Sequence, residues 1–210
     1  MTTPVIDPVR LAAAVQYTAE AHATQFRKRA PGDDRPRMPY ISHLLAVSGM
    51  VIEDLGDTDE AIAGLLHDVI EDQNDDGQRP AEIEARFGPR VRAIVEGCSA
   101  PKKEDPGMAD FRVRKEDYLA HLRNPADPGS IRVSLCDKVH NARSTVNDLE
   151  TDGPQMWDRF NAGADDQLWW YASLVEAFAV HAGAGRADKA RVAELGRLVQ
   201  RMHDLTLVAV

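Results

Sequence analysis

The sequence predicts an all-α protein that folds as a single helical bundle, and three features indicate that class. Apolar residues recur at the three- and four-residue intervals of amphipathic helices along most of the 210-residue chain. Alternating runs of β-branched residues, which would indicate strands, are nearly absent. Short turns rich in Pro, Gly and Asp separate the helical segments, and no linker divides the chain. We therefore expect one domain, residues 1–210, with a motif-bearing core at about 8–182 and a C-terminal helix at 187–205.

Each helix is predicted from its apolar spacing and the residues at its ends. Asp7 followed by Pro8 is typical of an N-cap and a first turn, and the apolar stripe after it predicts a helix to about Phe26. Asp57 and Glu60 resemble a capping box at the start of a later helix. After the first helix, we expect helices at 41–55, 58–70, 80–88, 89–96, 108–122, 131–149, 155–181 and 187–205.

Composition and charge narrow the classes of function. The net charge of −9 disfavours a nucleic-acid-binding protein, because phosphate backbones attract Lys and Arg. The N-terminus lacks a basic region followed by an apolar one, so no signal peptide is expected, and no apolar run is long enough to span a membrane. Cys98 and Cys136 show no metal-binding spacing, and we expect buried thiols in a reducing cytoplasm.

The segment LLHDVIED, residues 65–72, places four acid or imidazole groups on an otherwise apolar helix. Burying such groups without partners is costly, so they need a ligand or a catalytic task. Helical spacing puts His67 above Glu71 and Asp68 above Asp72. One turn therefore presents two candidate metal ligands, and the next presents two candidate acid–base groups.

Two further residues complete a candidate metal set, namely His43 upstream and Asp137 downstream. Imidazole and carboxylate ligands together favour a divalent ion such as Mn, Fe, Mg or Zn, and the lack of a cysteine pattern argues against structural zinc. A lone histidine such as His43 is more often an ordinary core or surface residue. The adjacent His67 and Asp68 on an apolar helix are the unusual feature.

The order His, His-Asp, Asp resembles that of the HD-domain metal-dependent phosphohydrolases. Within that superfamily, several segments are similar to the RelA/SpoT hydrolase domain and to the stand-alone small alarmone hydrolases. In chain order these segments are HATQFRK at 22–28, PYISH at 39–43, LLHDVIED at 65–72, FG and VEGCS within 87–99, and LCDKVHNAR at 135–143. Because the matches keep the family's order over about residues 11–149, the set is specific.

The resemblance implies Mn-dependent hydrolysis of the 3′-pyrophosphate of guanosine tetra- and pentaphosphate, releasing pyrophosphate and GDP or GTP. The implied metal ligands are His43, His67, Asp68 and Asp137. The implied catalytic pair is Glu71 and Asp72. The implied nucleotide-binding residues are Arg27, Lys28, Asn141 and Arg143. Basic side chains can hold phosphates independently of any family, although a basic pair such as Arg27 and Lys28 can also be a solvated helix end.

Two departures from the family leave the substrate open. Residues 33–38 are inserted between the basic pair and the PYISH segment, and Leu44 replaces a proline that usually follows the metal histidine. An adenine alarmone or the 2′-phosphate of NADPH is therefore an alternative substrate. A non-catalytic nucleotide-binding protein or antitoxin is a further alternative. Lys102 and Lys103 lie in a polar segment, 100–110, that could form a flap over the phosphates.

The length of the chain bears on its partners. After 210 residues there is no room for a synthetase domain, so we expect a hydrolase rather than a bifunctional enzyme. A small nucleotide is the expected partner, and functional pairing with a separate alarmone synthetase is compatible with it. The apolar tail at 205–210 could cover the core or form a homo-oligomer contact.

Overall fold

The computed structural model describes residues 4–28, 34–73, 77–99, 111–125, 127–185 and 187–207. These residues form helices and contain no β-strand beyond one isolated antiparallel bridge between Phe26 and Pro39. The helices are α1 (Pro8–Ala21), α2 (Ile41–Glu53), α3 (Thr58–Leu66), α4 (Val69–Asp72), α5 (Arg79–Phe87), α6 (Pro89–Cys98), α7 (Phe111–Arg123), α8 (Gly129–Asp152), α9 (Ala164–Gly183) and α10 (Lys189–Leu207). The predicted all-α class is confirmed.

The 24-residue helix α8 lies at the centre of the bundle and packs against α2, α3, α6, α9 and α10. Its apolar side chains are buried on several faces because neighbours surround it. Helices α2 and α3 approach each other closely at Gly64, where an added Cβ would lie 3.0 Å from Ser48 Cα. The Ser48 hydroxyl also donates to the Ala61 carbonyl at 2.8 Å. This tight contact fixes the position of the α3 C-terminus beside α2.

Helix α1 ends at Ala21, five residues before the predicted end at Phe26. The chain after it pairs with the segment that leads into α2. Tyr40 N–H donates to the Gln25 carbonyl at 2.9 Å, and Arg27 N–H donates to the Met38 carbonyl at 2.9 Å. Backbone groups that a longer helix would have used are satisfied across this bridge. The prediction was wrong here because long-range pairing overrode the apolar spacing.

Two predicted helices are interrupted. The predicted helix 58–70 is divided into α3 and the four-residue α4 by a turn at His67 and Asp68, although its capping box is confirmed. The predicted helix 155–181 begins instead with a 3₁₀ segment at Pro154–Arg159, and α9 starts only at Ala164. The other predicted helices are present with shifted ends. The predicted flap at 100–110 lies outside the described residues.

The remaining expectations concern the thiols and the membrane. Cys98 and Cys136 are both free and buried, as predicted. Among the described helices, none is both long and apolar enough to cross a lipid bilayer.

Candidate metal centre and nucleotide cleft

The four predicted metal ligands meet where α2, the α3–α4 turn and α8 converge. His43 Nε2 lies 3.1 Å from Asp137 Oδ1 and 3.7 Å from Asp68 Oδ2. His67 Nε2 lies 3.1 Å from Asp68 Oδ2 and 3.5 Å from Asp137 Oδ1. Asp68 is partly buried and the other three are buried. Residues from three distant parts of the chain thus direct two imidazoles and two carboxylates at one point.

Both imidazoles are oriented by contacts at Nδ1. His67 Nδ1 donates to the Gly64 carbonyl at 2.9 Å, which directs Nε2 at the carboxylates. His43 Nδ1 lies 2.8 Å from His140 Nδ1, so one of these rings donates to the other. Within the described residues, Nε2 of His43 and of His67 is buried and makes no hydrogen bond of normal geometry. Two such nitrogen atoms beside two carboxylates are a donor set that fits a divalent cation.

The ligand carboxylates also control the protonation of His67. Burial alone would lower its pKa, but the charges of Asp68 and Asp137 outweigh burial and raise the pKa of His67 well above its usual value. Burial keeps the pKa of His43 below its usual value, although Asp137 opposes that shift. A proton on His67 therefore balances the carboxylates when no cation does, and a divalent cation would displace that proton.

Each ligand carboxylate accepts a hydrogen bond from a neighbouring side chain. Tyr40 Oη donates to Asp68 Oδ2 at 2.5 Å. Lys138 Nζ donates to Asp137 Oδ2 at 2.5 Å. Such contacts fix the orientation of a ligand and tune its basicity. Sequence reasoning assigned no role to Tyr40 or Lys138, although both lie inside the motifs that it singled out.

Two of the four predicted nucleotide-binding residues lie beside the metal centre. Asn141 Nδ2 donates to Asp137 Oδ1 at 2.6 Å, because it follows Asp137 by one helical turn on α8. Arg27 Nη2 donates to Asn141 Oδ1 at 2.8 Å. The bridge between residues 26 and 39 therefore carries Arg27 to the same end of α8 as the ligands.

The structure does not bring the other two predicted nucleotide-binding residues, Arg143 and Lys28, to the metal centre. Arg143 pairs with Glu194 of α10 at 2.6 Å and contacts Met50 of α2 through Nη1. It follows Asp137 by six residues and so leaves α8 on a different face. Lys28 is exposed and follows Arg27 in an extended segment, where successive side chains point to opposite faces.

The predicted acid pair lies on α4, directly after the ligand turn. Glu71 lines the cleft, and Asp72 Oδ2 accepts a hydrogen bond from Gln25 Nε2 at 2.7 Å. Gln25 Oε1 in turn accepts from Gln73 Nε2 at 2.7 Å and lies 2.7 Å from His22 Nδ1. Burial raises the pKa of Asp72. Asp72 is thus held in place and is a stronger base than an exposed aspartate.

A cleft of about 170 Å³, partly open to solvent, leads away from the metal centre. Its wall carries three cations, Arg114 and Lys115 of α7 and Lys138 of α8, together with the buried Trp170 of α9. Sequence reasoning missed Arg114 and Lys115 because a helix of mixed charge such as α7 is also typical of a solvated surface.

Similarity to known proteins identifies the family of this chain. The family model described as HD domain matches residues 14–165. "Guanosine-3′,5′-bis(diphosphate) 3′-pyrophosphohydrolase MESH1" of Xenopus tropicalis is 35% identical over 172 residues, which cover 81% of this chain and 85% of that protein. "GTP pyrophosphokinase rsh" of Brucella ovis is 32% identical over 146 residues, 67% of this chain. The match covers only 18% of that longer protein.

Solved structures share the fold. One, described as "a metazoan ortholog of SpoT" that "hydrolyzes ppGpp", has a TM-score of 0.66 at 22% identity, over 95% of this chain and 97% of the other. The lmo0812 protein of Listeria monocytogenes has a TM-score of 0.62 at 23% identity, over 77% of this chain and 99% of the other. The family model and the MESH1 match extend the likeness from fold to sequence. The chain therefore belongs to the HD domain family and, within it, to the small alarmone hydrolases of the MESH1 type.

Proposed function

We propose that this protein hydrolyses the 3′-pyrophosphate of guanosine tetra- and pentaphosphate, releasing pyrophosphate and GDP or GTP. One observation carries the proposal: two imidazoles and two carboxylates converge at the end of a cleft whose wall is lined with cations. Cations on a wall suit a substrate of high negative charge. The 35% identity to MESH1 over most of both chains supports the choice of substrate.

The proposal includes one divalent ion, named as Mn²⁺ by family resemblance. The residues that would hold it are His43, His67, Asp68 and Asp137. The first three already offer ligand atoms within 4.8 Å of one another. When bound, a cation of this kind polarises a phosphoryl oxygen and acidifies water.

Glu71 and Asp72 are proposed as the acid–base pair. Asp72, with its raised pKa and its hydrogen bond from Gln25, would orient the attacking water and accept its proton. The water oxygen forms a bond to the phosphorus that carries the ribose 3′-oxygen, and the bond between that phosphorus and the 3′-oxygen breaks. The 3′-oxygen leaves with a proton from the pair of Glu71 and Asp72, which regains one from the attacking water, and pyrophosphate is released.

Arg27 and Asn141 are proposed to hold the nucleotide. Their mutual hydrogen bond ties the Arg27 guanidinium to the ligand helix, and the same guanidinium lies 5.7 Å from the centre of the Tyr40 ring. A fixed guanidinium can donate two parallel hydrogen bonds to a phosphate. Lys28 and Arg143 stay in the proposal by family resemblance alone, because Lys28 is exposed and Arg143 pairs with Glu194.

We also propose that residues 1–210 act as one HD-type domain in the cytoplasm. In support, α9 and α10 both pack on α8, which carries Asp137, so the C-terminal helices brace the site. An alarmone synthetase, which makes the substrate, would be the functional counterpart of this hydrolase.

A substrate panel tests the function. Purified protein is incubated with guanosine tetraphosphate, its adenine counterpart or NADPH, with MnCl₂ or with a chelator, and the products are separated by anion-exchange chromatography. We expect pyrophosphate and GDP from the guanine nucleotide with manganese, and no products with chelator. Faster cleavage of the adenine compound or of NADPH would contradict the proposed substrate. Nucleotide binding without any turnover would contradict catalysis itself.

A further inference from the structure

Lys115 of α7 differs from an ordinary surface lysine because aromatic rings hold its charged end. Its Nζ lies 4.4 Å from the centre of the Trp170 ring and 5.5 Å from the centre of the Phe111 ring. A cation over aromatic faces is attracted to them, and these contacts limit the motion of a long side chain. Since Lys115 also lines the cleft, it presents a localised positive charge there.

A second ammonium group lies nearer to the metal centre on the same wall. Lys138 Nζ donates to Asp137 and lies 5.2 Å from the centre of the Tyr118 ring. Tyr118 packs edge-on against Trp170, with ring centres 5.6 Å apart. Each lysine therefore lies over one ring of a packed pair, Lys138 over Tyr118 and Lys115 over Trp170. Lys138 also contacts a metal ligand.

We propose that Lys115 binds the terminal phosphoryl group of the 3′-pyrophosphate and thereby selects a pyrophosphate over a single phosphate. The inference rests on the proposed function, which places the reacting phosphoryl group at the metal ligands. That group would lie next to Lys138. The second group of a pyrophosphate would extend along the wall to Lys115, whereas a monophosphate would end before it.

The charges around Lys115 give this contact a pH dependence. Burial lowers the pKa of Lys115 to about 8, with Lys138 and Arg114 acting in the same direction and Glu71 and Asp137 opposing them. From helix α9, the uncharged Trp170 indole faces Lys115. In the free enzyme the positive charge of Lys115 is therefore lost as the pH rises through about 8. The KM for a pyrophosphate substrate should rise over the same interval.

Substitution of Lys115 tests the inference. Lys115→Met keeps an unbranched apolar stem against Trp170, Lys115→Arg keeps the charge, and Lys189→Met, at an exposed lysine of α10, is the matched control. The readout is kcat/KM for guanosine nucleotides that carry a 3′-pyrophosphate or a 3′-monophosphate. The Ki values of inorganic pyrophosphate and phosphate are measured as well, in case the monophosphate is not cleaved.

We expect Lys115→Met to lower kcat/KM for the pyrophosphate, and to raise the Ki of pyrophosphate, by roughly 10- to 100-fold, the usual effect of losing a charged hydrogen bond. The kcat/KM for the 3′-monophosphate nucleotide and the Ki of inorganic phosphate should change less than about threefold. Lys115→Arg should retain selectivity and abolish the rise in KM near pH 8. Equal losses on both substrates, or no loss, would overturn the inference and leave the proposed function intact. A wild-type protein that cleaves no 3′-pyrophosphate would overturn the proposed function first.

Discussion

Two polar clusters are buried where α2 meets α8, one near each end of α2. Near the start of α2, His43 joins the other three metal ligands. At the end of α2, Asp54 meets Arg191 of α10 in a bidentate ion pair, with contacts of 2.8 Å and 3.0 Å. The side chains of Asp54 and Arg191 are each only 8% exposed. The clusters are equally deep in the protein but differ in how completely their groups are paired.

The cluster at Asp54 is complete without any ligand. Arg191 also donates to Glu53 and Glu194, and the Cys136 thiol contacts Asp54. The cluster at His43, by contrast, leaves two buried imidazole nitrogen atoms without hydrogen bonds of normal geometry among the described residues. A complete buried cluster holds helices together, whereas an incomplete one is a place where a ligand binds.

The largest effect is expected from Asp137→Asn, which removes one ligand charge at constant size. Loss of a single preorganised electrostatic group costs roughly 100- to 1000-fold in kcat. Because this change should also prevent the cation from binding, we expect the kcat of pyrophosphate release to fall by roughly 1000-fold or more. Steady-state kinetics with saturating manganese measure it, and circular dichroism checks the fold. Activity within tenfold of wild type would show that the cluster is not the catalytic centre.

The next effect concerns the complete cluster. Arg191→Met should lower the free energy of unfolding by about 3–5 kcal/mol, because Asp54 would remain buried without its partner. Urea titration measures the loss. Arg201→Met, which breaks an exposed pair with Glu150, is the control and should cost less than about 1 kcal/mol. Similar losses for both variants would mean that the buried pair has no special role in stability.

Manganese should stabilise the protein, and more so at higher pH. The raised pKa of His67 gives the metal-free protein a stability contribution that is full below the unfolded pKa of about 6.5. That contribution is lost as the pH rises through the higher folded pKa, and the cation competes with the same proton. At about 100 times Kd, bound manganese should add about 2.7 kcal/mol.

Urea titrations with and without manganese at pH 6 and pH 8 measure this gain. At a fixed concentration of free manganese, the gain in the free energy of unfolding should be larger at pH 8, because fewer protons compete for His67. Asp137→Asn provides the control and should show no gain at either pH. A gain that is the same at both pH values would contradict the assigned proton on His67.

The smallest effect is expected at the start of α3, outside both clusters. Asp57→Ala removes the cap that accepts from Glu60 N–H and should cost about 1 kcal/mol, whereas Asp57→Asn should cost less. Burial raises the pKa of Asp57, but the Glu60 amide and Arg90 outweigh burial and lower it. The stability that this charge contributes is present above the unfolded pKa and is lost as the pH falls through the folded pKa.

Unfolding experiments at pH 7 and at pH 3 measure the effect of the cap. The difference between wild type and Asp57→Ala should narrow at the lower pH. Turnover per folded molecule should be unchanged, since the cap and the ligand turn lie at opposite ends of α3. A difference that widens on acidification would mean that the carboxylate is not the stabilising form.

His67 and Asp68 could be predicted as a pair of metal ligands because their signal is local, whereas His43 and Asp137 were implied by the family resemblance. His67 and Asp68 interrupt an apolar run, and the four-residue spacing from Asp137 to Asn141 defines a helix face. The all-α class could be predicted because apolar spacing reports the burial of one helix face at a time. Both inferences use relations between residues that lie within two turns of each other.

The remaining features depend on contacts between distant residues. Arg143, which the family resemblance implies as a nucleotide ligand, pairs with Glu194, which lies 51 residues away on α10. Lys115 gains its position from Trp170, which belongs to another helix. The early end of α1 follows from one bridge, which has no periodic signal. Spacing along a single helix cannot report any of these contacts.

The most direct test of the account measures manganese binding and pyrophosphate release in the same samples. Metal-free wild type, Asp137→Asn and Arg191→Met are titrated with manganese by equilibrium dialysis, and guanosine tetraphosphate is then added. We predict one tightly bound ion per chain and restored hydrolysis in wild type and in folded Arg191→Met, and neither in Asp137→Asn. Hydrolysis that persists in the metal-free protein, or an ion that binds Asp137→Asn as tightly as wild type, would contradict the account.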